Sequence, residues 1–104
     1  MMKSNRENKG PEILRDLWDV IGDRAEHPIP GSYTSRLMAD PKGIDKVLEK
    51  VGEESTEFIL AVKNGVNDRT IEETADLFFH IMVALKASDI DIEDVFKELE
   101  KRRK

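Results

Sequence analysis

An all-α fold, a small bundle of about four helices, is what this 104-residue sequence predicts. Three observations point there. Apolar residues recur at spacings of three and four through most of the chain. Glycine and proline fall between those runs, where helices must stop. No segment alternates apolar and polar residues as a half-buried strand does, and no internal repeat is present.

The elements follow in chain order. Residues 1–10 are polar and read as a disordered tail, leaving 11–104 as a single domain. Pro11 suits a first helical turn, and Ile13, Leu14, Leu17, Trp18 and Ile21 follow at helical spacing. Gly22 weakens that helix, and Pro28, Pro30 and Gly31 end it. Residues 26–42 have no clear period and read as a long loop of the kind that is usually functional or disordered. A second helix is expected over about 43–64, with Ile44, Val47, Leu48, Val51, Phe58, Ile59 and Val62 on one stripe facing the core. Asn64-Gly65 closes it as a C-cap. Gly52 inside it costs about 1 kcal/mol against Ala. It marks either a tolerated weakness or a close approach.

A third helix is expected over about 70–86, opened by a Thr70–Glu73 capping box. Leu77, Phe78, Phe79, Ile81, Met82, Val83, Ala84 and Leu85 cover most of its circumference, which predicts burial on nearly every side. Short partners cannot cover such a helix alone, so a homodimer is expected to complete the bundle. A fourth helix spans about 91–103, acidic at its start and basic at its end, as the helix dipole favours.

Composition removes several function classes. There is no cysteine, hence no disulfide framework, thiolate metal site or Cys nucleophile. No run approaches the roughly 18 apolar residues of a membrane span. The polar N-terminus lacks an apolar signal core, so a cytoplasmic protein is expected. A net charge of −5 argues against nonspecific nucleic-acid binding. It leaves open an anionic small molecule, provided that a divalent cation bridges it to the carboxylates.

The carboxylates are arranged in that way. Glu54 and Glu57 stand at i and i+3 on the second helix and flank its apolar stripe, whereas Glu53 points almost away from it. On the third helix the polar interruption is a narrow strip of Glu73, Asp76 and His80. Buried carboxylates need compensation, from Lys or Arg or from a metal. Taken singly, an acidic pair on a helix ordinarily marks a solvated face, Glu73 fits a cap, and His80 fits a satisfied core histidine. Two pairs on neighbouring helices together point to a hard-oxygen site for Mg²⁺, with Mn²⁺ as the variant. Iron bundles use Glu-x-x-His on their helices, and the second helix has no His.

These residues carry a resemblance. Glu53-Glu54-Ser55-Thr56-Glu57 followed by Glu73-Thr74-Ala75-Asp76 is similar to the EExxE and ExxD signature of the MazG-like all-α NTP pyrophosphatases. Ser32-Tyr33-Thr34-Ser35-Arg36-Leu37, Lys50-Val51-Gly52-Glu53-Glu54 and Ala75 through His80 resemble the phosphoribosyl-ATP pyrophosphohydrolase family more closely. So does the end of the chain from Asp89 to Arg103. The resemblance covers about residues 12–103, and Arg36 replaces the Lys that many relatives carry.

The resemblance implies Mg²⁺-dependent hydrolysis of phosphoribosyl-ATP to phosphoribosyl-AMP and pyrophosphate, the second step of histidine biosynthesis, by a cytoplasmic dimer. The chain is far too short to carry the cyclohydrolase of the next step, so the stand-alone form is expected. Glu54, Glu57, Glu73 and Asp76 would hold metal, and Glu53 or Glu54 would orient the attacking water. Tyr33, Arg36, Lys46 and Lys50 would meet the substrate, with Lys63 and Asn64 as weaker candidates. His80 would support Asp76 from behind. Two rivals remain: a housekeeping (deoxy)nucleoside triphosphate pyrophosphatase, and a non-enzymatic helical dimerisation module.

Overall fold

The structure, a computed structural model, describes residues 11–103; the expected tail over 1–10 lies outside them. Five helices follow one another: α1 (Pro11–Glu26), α2 (Tyr33–Met38), α3 (Ile44–Asn64), α4 (Asn67–Ala87) and α5 (Ile92–Arg102). No strand occurs among the described residues.

The extra helix, α2, corrects the reading of 26–42 as one irregular loop. Six residues are too few to show a period, but the local chemistry is sound. Ser32 is its N-cap, its hydroxyl accepting from Ser35 N at 3.2 Å. The Ser35 hydroxyl in turn donates to Arg24 O at 3.3 Å and accepts from Ile29 N at 3.1 Å. That clamp ties the proline-rich turn to the end of α1.

α3 and α4 form the dominant helix pair. Gly65 joins them at φ 69°, a left-handed conformation that glycine adopts without a Cβ clash. Gly65 N and Val66 N return to Val62 O and Ala61 O, both at 3.1 Å, and satisfy the last carbonyls of α3. α4 then starts at Asn67, three residues before the expected start. The Thr70–Glu73 capping box is absent: Thr70 Oγ1 donates to Val66 O at 2.9 Å, inside the helix, and Glu73 pairs with Arg69. α5 is capped by the Asp91 carboxylate, which accepts from Glu93 N at 2.9 Å.

The core is thin. Ile21, Leu37, Val47, Met82, Val83 and Ile92 are buried, with Leu14, Leu17, Trp18, Met38, Phe79, Ala84 and Phe96 packed around them. α5 is fastened to α1 by Ile92 and by the Arg15–Glu93 ion pair at 2.7 Å, with the Arg15 guanidinium lying 4.9 Å from the centre of the Phe96 ring.

One burial expectation fails, that of the α3 stripe. On α3 the buried residues are Val47, Glu54 and Ala61, whereas Ile44, Leu48, Ile59 and Val62 are exposed. On α4, Phe78 and Ile81 are exposed in the single chain, as expected of a helix that its short partners cannot cover alone. The helical period reports where apolar side chains point, not which neighbour reaches them.

Candidate active site

The α3–α4 pairing decides which acidic groups meet. Lys46, Lys50, Glu54 and Glu57 recur every three or four residues along α3, so they share one side of it. Facing them, α4 carries Glu73, Asp76 and His80 at the same kind of spacing. α2 lays Tyr33 and Arg36 beside the N-terminal half of that face.

Glu54 and Glu73 are the buried pair, Glu54 8% and Glu73 3% exposed. Asp76, expected inside the apolar helix, is exposed, as are Glu57 and Glu53. Glu53 is turned to Lys50, 3.5 Å away.

His80 organises the centre. Its Nδ1 lies 3.0 Å from Asp76 O, a carbonyl that only accepts, so Nδ1 carries the proton. In the neutral ring Nε2 then accepts from the Tyr33 hydroxyl at 2.8 Å. The ring edge also packs against Phe79 at 5.0 Å between centroids. Glu54 Oε1 sits 2.5 Å from the same Nδ1, so the Nδ1 proton lies between the Glu54 carboxylate and the Asp76 main-chain carbonyl. His80 therefore contacts Glu54 and Asp76 together.

The electrostatics are unfavourable by design of the cluster. Burial raises Glu54 above its ordinary value, and the Asp76 charge adds to this, with His80 and Lys50 opposing. Burial raises Glu73 as well, followed by the charge of Glu57 and a hydrogen bond with it, while Arg69 opposes. Burial also raises the Tyr33 hydroxyl.

Two buried oxygens, Glu54 Oε1 and Glu73 Oε1, are satisfied by no strict hydrogen bond. Each carboxylate is buried with one neighbouring partner, Arg69 for Glu73 and His80 for Glu54, and keeps an oxygen with capacity for a further ligand. The donors are all hard oxygens, the set that suits Mg²⁺ or Mn²⁺. Among the described residues, no three such groups are already gathered as a finished metal cage. Glu73 is turned onto Arg69 and Glu54 onto His80.

Arg69 escaped the sequence reading as a site residue, although Arg69 and Glu73 at i and i+4 were legible as a pair. Asp40 was missed too. It lines a cavity of about 260 Å³ with Tyr33, Arg36, Leu37, Lys46 and Lys50. A second cavity, of about 310 Å³, is lined by Glu57, Leu60, Ala61, Asn64, Val66 and Arg69 at the far end of α3. Lys63 is exposed and lines neither.

Comparison with known proteins gives a consistent answer. A family model described as phosphoribosyl-ATP pyrophosphohydrolase matches residues 14–103. A phosphoribosyl-ATP pyrophosphatase of Methanoregula boonei is 62% identical over 104 residues, covering all of both chains. One of Methanosphaerula palustris is 60% identical over 92 residues, 88% of this chain and 93% of the relative. One of Clostridium botulinum is 48% identical over 99 residues, 95% of this chain and 84% of the relative.

Proposed function

From this chain's membership of the phosphoribosyl-ATP pyrophosphohydrolase family, we infer what its acidic helix pair does. It hydrolyses phosphoribosyl-ATP to phosphoribosyl-AMP and pyrophosphate, the second step of histidine biosynthesis. Water attacks the α-phosphorus, the bond to the bridging α–β oxygen breaks, and pyrophosphate departs. The water's proton passes to a base.

The observation that carries this reading to the site is the pair of buried carboxylates on facing helices, Glu54 and Glu73, both raised by burial and each with an oxygen that no strict hydrogen bond satisfies. A protein keeps such groups against its own stability when a ligand compensates them. Our reading is that Glu54, Glu57, Glu73 and Asp76 hold Mg²⁺, or Mn²⁺ in its place. When bound, the ion neutralises the triphosphate charge and stabilises the leaving pyrophosphate. The chain's own groups do the rest. Glu54, raised by burial, is the carboxylate best suited to orient the water and accept its proton. Glu53, exposed and turned to Lys50, is the weaker of the two bases named from the sequence. His80 holds the Glu54 carboxylate against α4, where its ring is anchored by the Asp76 main-chain carbonyl and by the Tyr33 hydroxyl. Arg36, Lys46 and Lys50 bind substrate phosphate, with Tyr33 beside them.

A homodimer belongs to the same reading. Leu14, Phe78, Ile81, Leu85, Phe96 and Leu99 line a groove with an apolar surface, and α3 leaves Ile44, Leu48, Ile59 and Val62 bare. A second copy of the chain would cover these stripes. No helix among the described residues is long and apolar enough to cross a membrane.

The deciding experiment is pyrophosphate release with Mg²⁺, comparing phosphoribosyl-ATP with ATP and a panel of dNTPs. Release from phosphoribosyl-ATP, abolished by EDTA and by Asp76→Asn, is the expected result. Equal or better turnover of dNTPs would move the chain to the housekeeping class.

A further inference from the structure

Resting on the substrate assigned above, we propose that the cavity between α2 and α3 is the subsite for the phosphoribosyl arm. That arm is the ribose 5-phosphate attached to the base, and it distinguishes this substrate from ATP. Arg36, Lys46 and Lys50 hold its phosphate monoester, and Asp40 takes ribose hydroxyls. The triphosphate lies toward the acidic end of the same face.

Charge separates the two phosphate ends. The cavity offers three cations and one carboxylate, a net of two positive charges. A phosphate monoester carries about −1.5 to −2 at neutral pH, which matches. A triphosphate carries more charge and would sit against Asp40 without compensation. The acidic centre, in contrast, requires a metal before any phosphate approaches. A metal–triphosphate complex answers that requirement, whereas a lone monoester does not.

Distance gives the second argument. Lys46 and Glu57, the outermost groups of the two ends, are eleven residues apart on α3, and Lys50 lies between them, four residues from Glu54. At a rise of about 1.5 Å per residue the separation is roughly 16 Å along the axis. A purine with a ribose on each side spans a comparable length, so both ends of one molecule can be engaged at once.

The cavity groups are also held ready. Arg36 Nη1 donates to Gly31 O at 3.2 Å, and its guanidinium lies 5.8 Å from the centre of the Tyr33 ring. No carboxylate pairs with Arg36 among the described residues. Lys42 N donates to Asp40 Oδ1 at 2.9 Å, which fixes that carboxylate. Lys46 and Lys50 meet Glu49 and Glu53 only at 4.0 and 3.5 Å, and such part-exposed pairs yield easily to a better anion.

The test compares KM for phosphoribosyl-ATP with the inhibition constant of ATP as a competitor, in the Mg²⁺-loaded full chain. Arg36→Ala and Lys46→Ala are the variants, and far-UV circular dichroism confirms their fold. Loss of a charge-assisted phosphate contact is expected to raise KM about tenfold or more, with the ATP constant moving far less. Parallel rises for both ligands would overturn the proposal and assign the cavity to the triphosphate. No rise in either would overturn it as well.

Binding of phosphoribosyl-AMP and AMP in EDTA, by equilibrium dialysis, separates this proposal from the parent reading. A wild-type chain that never hydrolyses phosphoribosyl-ATP would sink the activity. A preference for phosphoribosyl-AMP that Arg36→Ala removes would still support the subsite, and equal binding of the two would refute it.

Discussion

Replacing Leu48 and Ile59 together by Asp is expected to dissociate the proposed dimer without unfolding the protomer. Both side chains already face solvent in the single chain, 50% and 62% exposed, so the protomer's own core does not depend on them. Full burial of such a side chain is worth about 1.5–3 kcal/mol. Covering the exposed parts of both is therefore worth about 2.5 kcal/mol per protomer. A two-fold axis presents each residue twice, which brings the loss to about 5 kcal/mol per dimer. At about 1.4 kcal/mol per decade, the dissociation constant rises by three to four orders of magnitude. The introduced carboxylates add to this if they meet across the axis. Sedimentation velocity over a concentration series reads the shift, and circular dichroism checks that the helices persist. A double variant that associates as tightly as wild type would refute the reasoning. So would a wild-type chain that stays monomeric at every concentration.

Three further outcomes follow from the acidic centre. Mg²⁺ at a hundredfold excess over its Kd should raise the wild-type Tm by roughly 10–20 °C, read by thermal unfolding, and Glu54→Gln or Asp76→Asn should remove most of that rise. Glu54 and Glu73 are both raised above the ordinary 4.5, burial being the main cause. Their contribution to stability is then fully present below that value and is lost as pH rises through the raised values. Urea midpoints of the metal-free chain should therefore fall toward neutral pH, and Glu54→Gln should flatten the fall. Glu49 and Glu93, held down by Lys42 and Arg15, act in the opposite sense and only near or below 4.5. Arg69→Gln removes the counter-charge of buried Glu73, so the metal-free Tm should drop and the Mg²⁺-dependent rise should grow; no change in either would refute the pairing's role.

The legible parts of this fold are those that a helix writes into its own sequence. Gly65 announced the end of α3, and Asp91 with its following acids announced the start of α5. Helix α2 left no such trace, because six residues make fewer than two turns and no period can be read from them. Ser32 offers only a local N-cap to Ser35 N, and the Ser35 hydroxyl acts through Arg24 O and Ile29 N, contacts that no helical period encodes. The site was legible as residue types and spacing: Glu54, Glu57, Glu73 and Asp76 do lie on facing helices. Which of them are buried was not legible. Asp76, inside the most apolar stretch, is exposed, and Glu73, at its polar edge, is buried. Burial depends on where α3 crosses α4, which is a property of the pair.

The misread stripe on α3 carries the larger lesson. An amphipathic helix normally turns its apolar side inward and its charges outward. α3 turns Glu54 inward with Val47 and Ala61 and leaves Ile44, Leu48, Ile59 and Val62 outside. As a lone protomer this arrangement violates patterning on both sides at once. Each violation has its own remedy. On the proposed reading, a divalent cation would compensate the buried carboxylates and a second copy of the chain would cover the bare stripe. The two remedies are physically independent, so they separate experimentally. EDTA should lower Tm without dissociating the dimer, and the Leu48/Ile59 double variant should dissociate it while each protomer keeps its acidic centre. A chain that lost both properties under either treatment would mean that the metal site is built across the dimer axis, with Glu53 as the first residue to re-examine.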